Sequence, residues 1–581
     1  MVLDWIHVGS AEEIQREGPK VKGGIAVFAH EDEFYAVENR CPHMGFPLHM
    51  GSLCDGILTC HWHHARFDVC SGGTLDPFAD DVPAHQVKVE QGEVWVDPRP
   101  KQKKDIQKHI LRLKEGLQQD ISLVIAKSVI ALVEAGVSEA EIAKVGVEYG
   151  TTQRSGGWSS GLTILTAMIN VLPKLDSYGR ILALFHGLTH VARDCAGRAP
   201  RHMLQPLPDA DLSLERLATW YRQCVEVRDA QGAERVLLAA IEKGVEMTAL
   251  AEMMLVAVTD HFYLDGGHIF DFHNKAFEVL TYTGEEQTGC VLTSLVPQMA
   301  CANRSEELQN WQFPVNLVTP LREAFQTLSE ITDVGHEEAA DLDEEQFVNQ
   351  VLSDRPMETV QAITHALKNG VSSARIAQLV ALAAAERIMR FHVQNDFGDW
   401  IAVLHTFTNA HAVHVSLQRE ANPLTVRAIY YSAMRIYLDR FLNIPSAPRP
   451  NVNKTPNPQY STDTKQLLEL LDQRQQVADA ATWVAHYLKN SGDMEALWNA
   501  LGHALLREDA EFHSFQMYEA TVGEYERYAS DDRPIAARAK ETLLFALTRY
   551  LAAHAPTARE LPHVARIAWR LQRGERLFEE Q

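Results

Sequence analysis

The chain has 581 residues, and at roughly 100–200 residues per domain that is enough for several domains with ample core. Hydrophobic residues make up 46% and charged residues 23%, which excludes a disordered, collagenous or low-complexity chain. Lys and Arg number 54 against 77 Asp and Glu, and the resulting −23 repels phosphate backbones and anionic headgroups, so neither nucleic acid nor a membrane surface is an expected partner.

No run approaches the ~18 apolar residues of a spanning helix, and Met1-Val2-Leu3-Asp4-Trp5 lacks the basic and apolar regions of a signal peptide. The expected location is cytoplasmic. Four of the 8 cysteines, Cys41, Cys54, Cys60 and Cys70, lie within thirty residues. In a cytoplasmic chain that clustering points to metal rather than to disulfides. The 26 histidines are spread over the whole length.

In chain order, residues 1–97 read as a small all-β domain. Gly24 to Ala29, Glu33 to Val37 and Glu93 to Val96 are short β-rich runs bounded by Gly, Asp and Pro. Asp97-Pro98-Arg99-Pro100-Lys101-Gln102-Lys103-Lys104 reads as a linker. Residues 105–442 show apolar spacing of three and four and are predicted to be a helical repeat domain. A Pro- and Asn-rich breaker from Asn443 to Thr462 precedes a C-terminal helical domain, 463–581. The fold class is thus multidomain, a small all-β domain followed by a large all-α region with internal repeats.

The repeat is read from the Gly-Val pairs at Gly136, Gly244 and Gly370, where one amphipathic helix would end at the glycine and another begin after the valine. Downstream, Gly157-Trp158, Gly267-His268 and the stretch Gly398-Asp399-Trp400 form a second common point. Five residues beyond Trp158, His268 and Trp400 stand Thr163, His273 and His405; sixteen beyond the glycines stand Thr152, Asp260 and Glu386. Two units therefore carry a histidine and a carboxylate at equivalent positions.

The strongest motif is Cys41-Pro42-His43, followed after sixteen residues by Cys60-His61-Trp62-His63. Two thiolates and two imidazoles on paired loops of a sheet domain suit either a structural zinc or an iron-sulfur group. With Gly45, Leu48, Gly51, Leu58-Thr59, Phe67-Asp68 and Ser71-Gly72-Gly73 around it, the pattern resembles the Rieske domain, and the resemblance covers residues 1 to about 97. It implies a 2Fe-2S cluster with one iron on Cys41 and Cys60 and the other on His43 and His63. High-potential members carry extra loop cysteines where this chain has Phe46 and Trp62, so the resemblance is to the lower-potential ferredoxin or oxygenase branch. Cys54 and Cys70 read as packed free cysteines.

The helical region carries a second set of candidate metal ligands. His186, His190 and Asp194 share one helix face at i, i+4 and i+8. Asp265, His268 and His273 fit D-x-x-H-x4-H, which resembles the mononuclear iron motif of Rieske oxygenases. The unit around Gly370, with Glu386 and His405, resembles the alkylhydroperoxidase-like and carboxymuconolactone-decarboxylase-like repeat, with Gly398 and Ile401 in place of its C-x-x-C. Leu404 to Thr408 with Ala412 resembles questin-oxidase-type non-haem iron proteins. His411 and His414 read as surface or capped residues. The cluster His503, Glu508, Asp509, Glu511 and His513 reads as a solvated face.

These observations predict an oxidoreductase in which the 2Fe-2S cluster passes electrons to a non-haem iron. That iron would draw ligands from His186, His190, Asp260, His268, His273, Glu386 and His405, and would activate O2 against a small organic substrate. The sequence contains no G-x-G-x-x-G after a strand and no Walker loop, so an external ferredoxin or flavin reductase is expected as partner. A homo-oligomer is left open. The alternative is a Rieske electron-carrier or redox-sensing module whose helical part binds a partner.

Overall fold

The computed structural model describes residues 5–76, 79–101, 106–208, 212–328, 342–450, 460–490, 492–573 and 575. The chain divides into two compact units, one of residues 1–138 with 563–581 and the other of residues 139–562.

Among the described residues the first unit has nine strands: β1 (Ile6–Ser10), β2 (Lys20–Lys22), β3 (Ile25–His30), β4 (Glu33–Glu38), β5 (Ser52–Cys54), β6 (Ile57–Thr59), β7 (Arg66–Asp68), β8 (Ala84–Glu90) and β9 (Glu93–Pro100). Six of them form an antiparallel, barrel-like sheet in the order β1-β9-β8-β4-β3-β2, and β5-β6-β7 form a smaller sheet. Strand alternation puts successive side chains on opposite faces. On β3, Ile25 and Val27 therefore pack with Ala36, Val94 and Val96 in one layer, while Ala26 and Phe28 pack with Val37, Leu58, Phe67, Cys41 and Cys60 in another. This double burial explains why β3 is an almost continuous apolar run.

Two sequence expectations are corrected here. β9 continues through Asp97-Pro98-Arg99-Pro100, the first half of the expected linker, where Asp97 accepts hydrogen bonds from the Arg99 backbone and guanidinium at 2.9 and 2.8 Å. Residues 102–104 of that linker lie outside the described residues, as do 451–459 of the second breaker. Cys54 and Cys70 are exposed rather than packed. The unit's described helices include α1 (Ala11–Glu17), α2 (Ile106–Gln119) and α3 (Ser122–Glu134), and the C-terminal helix Glu560–Gln572 belongs to the unit from His563 on.

The second unit is helical throughout its described residues. All three Gly-Val pairs are helix ends. Gly136, Gly244 and Gly370 have φ of 82°, 70° and 83°, the left-handed conformation that costs glycine least. In each, the following valine N–H bonds back five residues, Val137 to Leu132, Val245 to Ala240 and Val371 to Ala366, at 3.0, 3.2 and 3.1 Å. The helices that frame the unit's interior are α4 (Ser160–Val171), α5 (Ser177–Cys195), α6 (His268–Thr283), α7 (Ser373–Met389), α8 (Phe397–Arg419), α9 (Phe512–Ala529) and α10 (Ile535–His554). α8 packs against α6, α7 and α9, and α9 packs against α4 and α10. Their facing sides carry polar residues at helical spacing: His268, Asp271, Lys275 and Glu278 on α6, and His513, Gln516, Glu519 and Glu524 on α9. A bundle interior with this composition needs an internal account of its charges. Among the described residues, no helix is long and apolar enough to cross a membrane.

Candidate metal centres

The two Cys/His hooks of the first unit are built alike. The Cys41 N–H donates to Phe46 O at 2.7 Å and the Gly45 N–H to Cys41 O at 2.7 Å; the Cys60 N–H donates to Ala65 O at 2.9 Å and the His64 N–H to Cys60 O at 3.0 Å. Gly45 and His64 hold the same place in the two loops with φ of 89° and 60°. Both cysteines are buried and their thiols meet. The rings of His43 and His63 lie 4.9 Å apart at 78°. Backbone N–H groups of His43 and Met44 aim at the Cys41 sulfur, and those of Trp62 and His63 at the Cys60 sulfur. Donors aimed at sulfur favour thiolates, so the set fits a group that takes two thiolates and two imidazoles. Burial, the His63 ring and the Lys127 charge together push His43 below the ordinary imidazole range. The cysteines are sealed inside, while His63 is exposed beside Trp62. The centre thus opens on its histidine side.

In the helical unit the structure brings together His268, His405 and His513, with one ring nitrogen of each lying within 4.8 Å of those of the other two. A ring N–H passes between His405 Nε2 and His513 Nε2 at 2.7 Å. His268 and His405 are 4.5 Å apart between ring centres. Burial first, then the neighbouring rings, pushes His268 to about 4 and His405 to about 2, so both are neutral and have lone pairs to offer. The Glu511 carboxylate accepts from His513 Nδ1 at 2.6 Å and is itself held by the Ser514 hydroxyl at 2.7 Å and the Tyr550 hydroxyl at 3.2 Å. Burial pushes Glu511 upward, but the His513 contacts outweigh it and hold the carboxyl at about 2. A carboxylate behind an imidazole fixes the ring and raises its basicity as a ligand. Beside His268 runs a groove of about 540 Å³ lined by Asp265, Phe272, Asn303 and Leu308.

The other expected ligands lie elsewhere. Asp260 is held by Arg222 at 2.6 Å and Arg427 at 3.2 Å, and Glu386 by Arg449 and Arg538 at 3.3 Å each. Two guanidiniums apiece neutralise these carboxylates. His273 is fully buried between Phe270 and Phe277, and His405 meets His268 rather than its repeat counterpart. His186 reaches the Leu506 carbonyl at 2.9 Å, and His186 and His190 both pack on Phe515. Asp194 accepts from the Ser160 hydroxyl and the Gly161 N–H at the start of α4, and Asp265 accepts from Asn303.

Sequence reasoning missed His513, placing it on a solvated face, and it set aside His411 and His414, which are buried. The missed signal is the stripe His513, Gln516, Glu519 and Glu524, which keeps one side of α9 polar between Phe515, Met517 and Tyr518. Glu278, His411 and Glu519 form a second convergence of ligand atoms. There, however, the Lys275 ammonium already pairs with Glu278 at 2.9 Å and Glu519 at 2.7 Å, while His411 and His414 pair with Glu524 at 2.7 and 2.8 Å. This cluster carries its own cation.

Comparison with known proteins places the first centre in context. Residues 4–86 match the model of the Rieske [2Fe-2S] domain. The chain is 34% identical over 101 residues to the ferredoxin component of naphthalene 1,2-dioxygenase/salicylate 5-hydroxylase systems of Ralstonia sp, covering 16% of this chain and 97% of that protein. It is 31% identical to the ferredoxin component of the naphthalene 1,2-dioxygenase system of Pseudomonas putida, covering 98% of it. Apoptosis-inducing factor 3 of Homo sapiens is 37% identical over 92 residues, but the match spans only 15% of that protein's length. Among solved structures, a complex of reduced oxygenase and oxidised ferredoxin in carbazole 1,9a-dioxygenase matches 17% of this chain and 97% of its own, at 30% identity and a TM-score of 0.16.

Proposed function

Because the chain belongs, through residues 4–86, to the Rieske [2Fe-2S] family, we propose that its first unit is a single-electron carrier and that the whole chain is an oxidoreductase built around it. When bound, a 2Fe-2S cluster at this site supplies one-electron redox chemistry. Cys41 and Cys60 hold its buried side, and His43 and His63 its solvent side, where His63 gives electrons a short exit to an acceptor. The observation that carries this reading is the coverage of free-standing ferredoxin components over nearly their whole length. An external ferredoxin or flavin reductase supplies the electrons in a cytoplasmic setting.

A second reading, an oxygenase with the acceptor in the same chain, is favoured by the convergence of His268, His405 and His513. His268 and His405, both neutral, and His513, backed by Glu511, would together hold a divalent iron, which would supply the O2 chemistry. The groove beside His268 would hold the substrate, and Phe272 and Leu308 favour an apolar one.

Metal analysis with electron paramagnetic resonance of the dithionite-reduced full chain separates the two readings. Two irons per chain with a Rieske-type signal fit the carrier alone. One further metal, lost in His513→Ala with the cluster signal intact, fits the oxygenase. Zinc in place of iron at the Cys/His hooks would overturn both.

A further inference from the structure

α2 and α3 lie beyond the residues that match the Rieske domain, yet both contact it, α3 at its metal-binding hook and α2 at Ala79 and Asp80. Lys127 stands in the middle of α3 with its side chain 7% exposed. Its ammonium donates to the carbonyl of Pro42, the residue between Cys41 and His43, at 2.8 Å, and it pairs closely with Asp80. Arg112 of α2 ties down the other side, donating to Asp80 at 3.3 Å and to the Ala79 carbonyl at 2.5 Å. A lysine this buried is costly unless it is paired, and the pair with Asp80 offsets that cost. The other partner, a carbonyl within the Cys-Pro-His hook, places the cation against the cluster site itself.

We propose that Lys127 is a positioning residue for the 2Fe-2S group. By this reading it fixes the Cys41–His43 hook through the Pro42 carbonyl, and its fixed positive charge raises the reduction potential of the cluster. A group that gains one electron becomes more negative, and a nearby cation stabilises the reduced form more than the oxidised one. Because the ammonium is buried, salt screens it little. Asp80, its counter-ion, acts in the opposite sense. The inference rests on the cluster reading above, and the test keeps the two apart.

The experiment is a redox titration of the full chain, followed by the resonance signal of the reduced cluster, in wild type, Lys127→Met and Asp80→Asn. Lys127→Met should lower the potential, shifting the one-electron equilibrium about tenfold, or 59 mV, while Asp80→Asn raises it. The difference should persist at high ionic strength. A residue that merely braces the fold would shift both variants the same way or neither. Unchanged potentials, or shifts of the same sign, overturn the proposal while leaving the cluster reading in place. If Lys127→Met fails to retain a cluster, the rise in Asp80→Asn still decides, and an unmoved potential there overturns the proposal. Absence of any cluster from the wild type would instead overturn the reading on which it rests.

Discussion

At the scale of single residues, a metal held by His268, His405 and His513 would depend on the groups behind those rings as much as on the rings themselves. Glu511 fixes the tautomer and direction of His513, so Glu511→Gln should weaken metal binding by about 10–100-fold, measured by titrating Fe(II) into the metal-stripped protein. His273 behaves differently. Both ring nitrogens are buried without a hydrogen bond of good geometry, and burial, with a smaller push from Arg419, lowers it to about 3. The unfolded chain takes up that proton near the ordinary value of about 6.5. Stability from a neutral His273 is therefore full above that pH and is lost as pH falls towards 3, by on the order of 4 kcal/mol. His273→Phe should flatten the pH dependence of the urea midpoint in that window. The Cys/His hooks were legible because each is a local motif whose ligands sit two or three positions apart. The three-histidine cluster was not, because its members come from separate helices, His405 and His513 standing 108 positions apart, and spacing carries no information across that distance.

At the scale of elements, the sequence located the helix ends and most of the long strands, since glycine at a left-handed position is a local requirement. Gly370→Ala should cost about 1 kcal/mol, read from the urea midpoint of the full chain, and Gly136→Ala and Gly244→Ala should cost about the same. Gly72 is a harsher case: its φ is 75° and a Cβ there would lie 1.9 Å from the Val82 carbonyl oxygen. Gly72→Ala should displace the loop behind the cluster hooks and lower cluster content, measured by iron and sulfide per chain. The strand through Asp97-Pro98-Arg99-Pro100 escaped prediction because its two prolines read as breakers. The Asp97–Arg99 contacts and the pairing of Pro100 with His85 on β8 hold the chain extended there. Equivalent repeat positions also failed to predict shared sites. His273 and His405 occupy matching places in sequence, but one faces an aromatic core and the other a polar interior.

At the scale of the whole molecule, the chain divides into two compact units, and the first covers free-standing ferredoxin components almost completely. The buried cluster around Lys275 bears on how such a chain is made. Glu278 and Glu519 share a counter-charge supplied by a side chain of α6 itself, so this part of the interior has a cation in place as soon as the polypeptide packs. A unit that carries its own counter-charge does not need a metal in order to pack, so the helical scaffold is expected to form first and any metals to enter afterwards. Cells grown under iron starvation should accumulate the chain in a folded, metal-free form that regains its metals when iron and sulfide are supplied. Circular dichroism before and after reconstitution should show the same helix content, whereas a scaffold that needed its metals to fold would gain helix on loading.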